Sequence, residues 1–143
     1  WKTMNRTLGF DLGSKTLGVS VSDPLGLIAR ALTTLRFESD DYDDALKQAA
    51  SLIREQHAAK VVLGLPRHMN GDIGIRGEIS IAFKEKLEAL GVEVVLWDER
   101  LTTVAANRIL LQGDVSRKKR KKVIDQMAAV QILQSYLDHA NGG

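Results

Sequence analysis

Apolar residues alternate with small or polar ones through two short stretches split by Gly13-Ser14-Lys15, and few folds accept that arrangement. In RTLGFDL (6–12), Leu8, Phe10 and Leu12 share one side, while Thr7, Gly9 and Asp11 share the other. In TLGVSVS (16–22), Leu17, Val19 and Val21 repeat the pattern. A period of two means strands, and so short a glycine-containing turn means that they pair antiparallel. Residues 28–36 are a third strand candidate, ended by the acidic stretch ESDDYDD. The three predict an antiparallel meander.

Beyond residue 40 the spacing becomes helical. Leu46, Ala49, Ala50 and Ile53 predict a helix over 41–57. KVVLGLP (60–66) is a continuous apolar run stopped by Pro66, so it reads as a strand buried on both faces. RHMNGDIGIRG is a loop with three glycines. Ile79, Phe83, Leu87 and Leu90 point inward from a helix over 77–90, with Gly91 as its C-cap. VEVVLW (92–97) is a second buried strand. A helix over 102–112 with Thr102 or Thr103 as N-cap follows, then the basic loop GDVSRKKRK and a last helix from about 121 to 139. The order is βββαβαβαα. Strands 60–66 and 92–97, joined through a helix, are expected to be parallel with a right-handed crossover. The expected fold is α/β: one mixed five-stranded sheet, an antiparallel three-strand meander plus two parallel strands, flanked by helices. The 143 residues suit a single domain (1–143), with 1–5 a disordered or extraneous tail and 114–121 a basic loop.

The absence of cysteine excludes disulfides, zinc–thiolate sites and cysteine nucleophiles. His57, His68 and His139 lack zinc spacing. No apolar run approaches the roughly 20 residues that span a bilayer. The start WKTMNR lacks a signal-peptide h-region, so a cytoplasmic protein without membrane contact is expected. Arg117, Lys118, Lys119, Arg120, Lys121 and Lys122 carry +6 against a net charge of +2, which leaves −4 on the rest. Such local basicity suits contact with a polyanion at one place, and a solvated, salt-screened loop is the plainer alternative.

Three acids stand where acids are expensive. Asp11 interrupts a strand, a setting that disfavours aspartate. Glu99 follows the end of a parallel strand, where ligands of open α/β sheets gather. Counting by two from Val95 through Trp97 puts Glu99 on one face and Asp98 on the other. Asp125 shares a helical stripe with Ala128, Ala129, Ile132 and Tyr136, beside a second stripe of Val123, Met127, Val130, Leu133 and Leu137. Each acid alone has a bland reading: a turn acceptor, a helix cap, a first-turn dipole partner. Three carboxylates brought together would repel unless one kept its proton or a cation joined them. Mg²⁺ or Mn²⁺ are hard ions that favour carboxylate oxygens, and two such ions can drive an in-line displacement at a phosphodiester.

Together DLGSKTLGVSVSD, VVLGLPRHMNG, VVLWDERLTTVAA and DVSRKKRKKVIDQMAAVQILQSYLD resemble the YqgF family, also called RuvX, from about Thr7 to Asp138. Its members are RNase H-like proteins described as pre-16S rRNA nucleases and formerly as Holliday junction resolvases. The resemblance implies an RNase H-like fold and a nuclease acting in ribosome biogenesis. It implies three metal-binding, catalytic acids: Asp11 in Phe10-Asp11-Leu12-Gly13, Glu99 between Asp98 and Arg100, and Asp125 after the basic segment. Gly64-Leu65-Pro66 through Asn70-Gly71 matches a further family pattern. Lys15, with the amides of Gly13 and Ser14, is a candidate phosphate contact, and Arg76 and Arg100 are candidate phosphate clamps. The tract 117–122 is expected to hold a nucleic-acid backbone without reading sequence. The seven aromatic residues form no stacking platform, which favours recognition by shape and charge. Pre-rRNA leads as substrate, branched DNA is the alternative, and ribosomal or transcription-related proteins are further candidate partners. A phosphotransferase fragment and a non-catalytic binding module are the competing classes. The first lacks the length for a second nucleotide-clamping domain, and the intact acid triad argues against the second.

Overall fold

The computed structural model describes residues 6–68, 70–102 and 117–142, with the side chains of 117–126 outside the description. β1 (Arg6–Leu12), β2 (Thr16–Ser22) and β3 (Ala29–Arg36) form the meander. α1 (Tyr42–Glu55), β4 (Ala58–Leu65), α2 (Ile75–Glu88) and β5 (Glu93–Asp98) follow, then a 3-10 turn (Glu99–Leu101) and α3 (Arg117–Ala140). Strand order is β3-β2-β1-β4-β5, with β1–β2 and β2–β3 antiparallel and β1–β4 and β4–β5 parallel. This is the expected mixed sheet.

The period-two pattern sorts residues onto two different faces. Leu8, Phe10, Leu12, Leu17, Val19, Val21, Val61 and Leu63 face α1 and α2 and build the larger core with Phe83 and Leu87. The opposite face is covered by α3 through Ala128, Ile132, Leu133 and Leu137, which pack on Val62 and Ala29. There the strands offer small residues, and α3 comes close. A Cβ on Gly9 would stand 2.7 Å from Leu133 Cβ and 2.9 Å from the Ala129 carbonyl. The Ser20 hydroxyl, fully buried, donates to that same carbonyl at 2.7 Å. The apolar arc of α3 is thus core packing.

Three expectations need correction. α3 begins at Arg117, so Arg117–Lys122 forms its first turns where a loop was expected; Lys and Arg are strong helix formers. α2 ends at Glu88, which leaves Leu90 49% exposed in the turn instead of inward, and Gly91 at φ +95° ends that turn. Met127 is exposed and lies off the buried stripe. The helix expected over 102–112, the tail 1–5 and residues 114–116 lie outside the described residues, except that Thr102 closes the 3-10 turn.

Candidate active site

The carboxyl ends of β1, β4 and β5 point the same way, and Asp11 and Glu99 lie at that end. β1 delivers Asp11 on the α3 face, two residues after Gly9 and opposite Gly18 of β2. Asp11 is only 5% exposed. The β1–β4 register runs Gly9↔Val62, Phe10↔Leu63, so one further step sets Asp11 beside Gly64. From the other side, β5 ends at Asp98 and the chain tightens into the 3-10 turn. The Asp98 carboxylate caps that turn by accepting from the Arg100 amide at 2.9 Å, and the Thr102 hydroxyl donates to the Glu99 carbonyl at 2.7 Å. Glu99, 4% exposed, is thereby turned back over the sheet. Its carboxylate rests above Gly64: a Cβ there would lie 2.9 Å from Glu99 Oε2 and 2.5 Å from Ile132 Cδ1. Asp11 and Glu99 therefore occupy one face over neighbouring strands, whose spacing is about 4.8 Å. Parity counting from Trp97 anticipates the Glu99 face.

Asp125 lies in α3 one turn before Ala128 and Ala129, the residues that touch the sheet, and its side chain is outside the described residues. The same holds for the side chains of Arg117, Lys118, Lys119, Arg120, Lys121 and Lys122. Among the described residues no three His, Cys, Asp or Glu side chains form a metal-sized group; Asp11 and Glu99 are the described pair.

Arg76 and Arg100, two of the basic residues assigned to phosphate, have partners within the chain. Arg100 Nη2 donates to Asp98 Oδ2 at 2.7 Å and its Nε to both carboxylate oxygens at 3.1 Å, with Arg67 Nε 3.8 Å from Oδ2. The hydrogen bond from Arg100 holds the Asp98 carboxyl below the usual aspartate range, against a smaller opposing effect of burial. Arg76 Nη2 donates to the Leu12 carbonyl at 3.3 Å and Nη1 to the Tyr42 hydroxyl at 3.1 Å. Both arginines thus brace strand ends beside the acids. Lys15 is exposed on its turn, and the Gly13 amide donates to the Thr16 carbonyl at 2.8 Å. Sequence reasoning missed Gly64 as a site residue. Its signal was a glycine inside a strand, which marks close approach of another group.

The comparisons with known proteins agree with one another. A family model described as RuvX, Holliday junction resolvase, matches residues 5–139. A Bacillus subtilis protein is 53% identical over 137 residues, which cover 95% of this chain and 99% of that protein. A Staphylococcus epidermidis protein is 52% identical over 136 residues, 94% of this chain and 96% of that one. Both are provisionally named pre-16S rRNA nuclease. Among solved structures, Thermus thermophilus RuvC in complex with Holliday junction substrate has a TM-score of 0.67 at 14% identity, over 97% of this chain and 96% of that one. The fowlpox virus resolvase with its Holliday junction DNA has a TM-score of 0.54 at 12% identity, over 94% and 98%. These likenesses show the fold, that of the RNase H-like resolvases.

Proposed function

The chain belongs to the RuvX family, and we propose that it is a metal-dependent nuclease that processes the 5′ end of pre-16S rRNA, with Asp11, Glu99 and Asp125 as cation ligands. The observation that carries this reading is the pair of buried carboxylates on one sheet face, Asp11 and Glu99, with Glu99 seated where Gly64 leaves room. Buried carboxylates that share one site repel one another, and a cation offsets that repulsion. The donor set is all oxygen, which suits Mg²⁺ or Mn²⁺ and not a soft metal. When bound, such ions activate a water and stabilise the leaving oxygen of the phosphodiester. The chain's own part is to hold the carboxylates rigidly. The Asp98 cap and Thr102 fix Glu99, while Arg76 anchors the end of β1 beyond Asp11. The basic first turns of α3 supply sequence-independent attraction for the nucleic-acid backbone.

The substrate is tested with a labelled pre-16S rRNA 5′ end, a single-stranded control RNA and a four-way DNA junction, each with and without Mg²⁺ or Mn²⁺, beside an Asp125→Asn variant. Metal-dependent cleavage of the rRNA end, lost in the variant, is the expected result. Symmetric cleavage of the junction alone would move the assignment to branched DNA. Salt-sensitive binding without any cleavage would make the chain a binding module.

A further inference from the structure

Gly64 is the next-to-last residue of β4, between the buried Leu63 and Leu65, where a side chain is normally worth having. Its backbone is not in the left-handed region, so conformational freedom does not account for the glycine. Its position pairs with Trp97 of β5 in regular register, so it is not a bulge either. What the missing side chain provides is room. Two groups use that room: the Glu99 carboxylate, with Oε2 2.9 Å and Cγ 3.4 Å from where a Cβ would be, and Ile132 Cδ1 of α3 at 2.5 Å.

We infer that Gly64 is a positioning residue for the reaction: the notch it leaves in the sheet seats the Glu99 carboxylate at the height and side where it joins Asp11 in holding the cation. This rests on the metal-dependent reading above. The backbone at Glu99 is fixed from outside by the Asp98 cap and by Thr102, so the side chain cannot retreat along the chain. A methyl at position 64 must therefore shift the Glu99 carboxylate from its seat, displace the Ile132 side chain, or both. Displacement of a reacting group by about 1 Å costs on the order of a hundredfold in rate, and groups that orient metal ligands typically change metal affinity by about 10–100-fold.

The two users of the notch can be separated. Ile132→Val removes Cδ1 and relieves the helix contact while leaving the Glu99 contact intact. Wild type, Gly64→Ala, Ile132→Val and the double variant are compared by Mn²⁺ titration with electron paramagnetic resonance, by thermal unfolding, and by RNA binding without metal. Gly64→Ala is expected to weaken Mn²⁺ by about tenfold or more and to lower the melting temperature, with metal-free RNA binding unchanged. The double variant is expected to recover melting temperature without recovering Mn²⁺ affinity. It also keeps the test decisive if Gly64→Ala alone does not fold. Wild-type Mn²⁺ affinity in Gly64→Ala, or recovery of stability and affinity together in the double variant, would reduce Gly64 to a packing residue and overturn the inference. A wild-type protein that takes up no Mn²⁺ would overturn the metal reading along with it.

Discussion

The two faces of this sheet are written by alternate residues of the same strands, yet they do different work. On the α1–α2 face the strands place Leu8, Phe10, Leu12, Leu17, Val19, Val21, Val61 and Leu63, large side chains that fill space and exclude water. On the α3 face the same strands place Gly9, Asp11, Ser20, Ser22 and Gly64, residues that bury little apolar area. One face secures the fold through hydrophobic burial at about 25 cal/mol per Å². The other gives up part of that burial, keeping Val62 and Ala29 against α3, so that a helix backbone and two carboxylates can sit close to the strands. The large apolar side chains and the buried carboxylates are thus separated by side-chain parity, one residue apart.

Neighbouring substitutions in β1 should break the molecule in opposite ways. Phe10→Ala, on the filled face, is expected to cost about 3–5 kcal/mol in chemical denaturation, because the cavity it leaves is ringed by a fully buried core. Residual cleavage should follow the folded fraction. Asp11→Asn, one residue on, is expected to lower cleavage on the order of a hundredfold or more, the scale at which loss of one preorganised electrostatic group acts. Its unfolding midpoint is expected to fall by less than that of Phe10→Ala, because the substitution keeps the side-chain volume and opens no cavity. A destabilised Asp11→Asn protein with normal specific activity would mean that the α3 face is structural as well.

That division also decides what could be read from sequence. The strands were legible because large residues alternate on the filled face, and the alternation forces Asp11 and Glu99 to the other side. Parity counting from Trp97 was sufficient for Glu99 because β5 stays regular to Asp98. Partners were not legible. A sequence shows that Arg76 and Arg100 are charged, and only the fold shows that Leu12, Tyr42 and Asp98 claim them. The start of α3 was missed because a run of like charge reads as solvated chain, whereas intrinsic propensity favours helix there. Gly64 was missed because its neighbours in space, Glu99 and Ile132, are 35 and 68 positions away in sequence.

A gentler probe of the close face is Ser20. Its hydroxyl supplies a second hydrogen bond to the Ala129 carbonyl, four residues after Asp125 on α3. Ser20→Ala should cost about 1 kcal/mol, the net worth of one hydrogen bond. If the bond only adds stability, the cleavage rate per folded molecule will not change. If it sets how α3 lies on the sheet, kcat will fall while KM for RNA holds.

The smallest effect concerns Asp98, which adjoins Glu99 in the chain but points to the other side. Hydrogen bonds from Arg100 depress its folded-state pKa, with burial opposing. A depressed carboxyl contributes stability that is complete above the ordinary aspartate pKa and is lost as pH falls through the folded value. Its contribution should therefore be flat at neutral pH and disappear in the acid range below about pH 4. Asp98→Asn should make the melting temperature less sensitive to acid in that window and leave it nearly unchanged at neutral pH, because exposed ion pairs are weak. Asp23 depends on acid with the same sign at the opposite end of the sheet, where the amides of Ile28 and Leu27 hold its carboxyl low. Salt separates the two contributions. The Asp98–Arg100 pair is partly exposed and screened by added salt, whereas the Asp23 carboxylate answers to backbone amides at 2.7 and 3.0 Å. Acid sensitivity that persists in high salt and is unaltered by Asp98→Asn would therefore belong to the Asp23 hairpin, and the ion pair beside Glu99 would then serve to aim the 3-10 turn without contributing to stability.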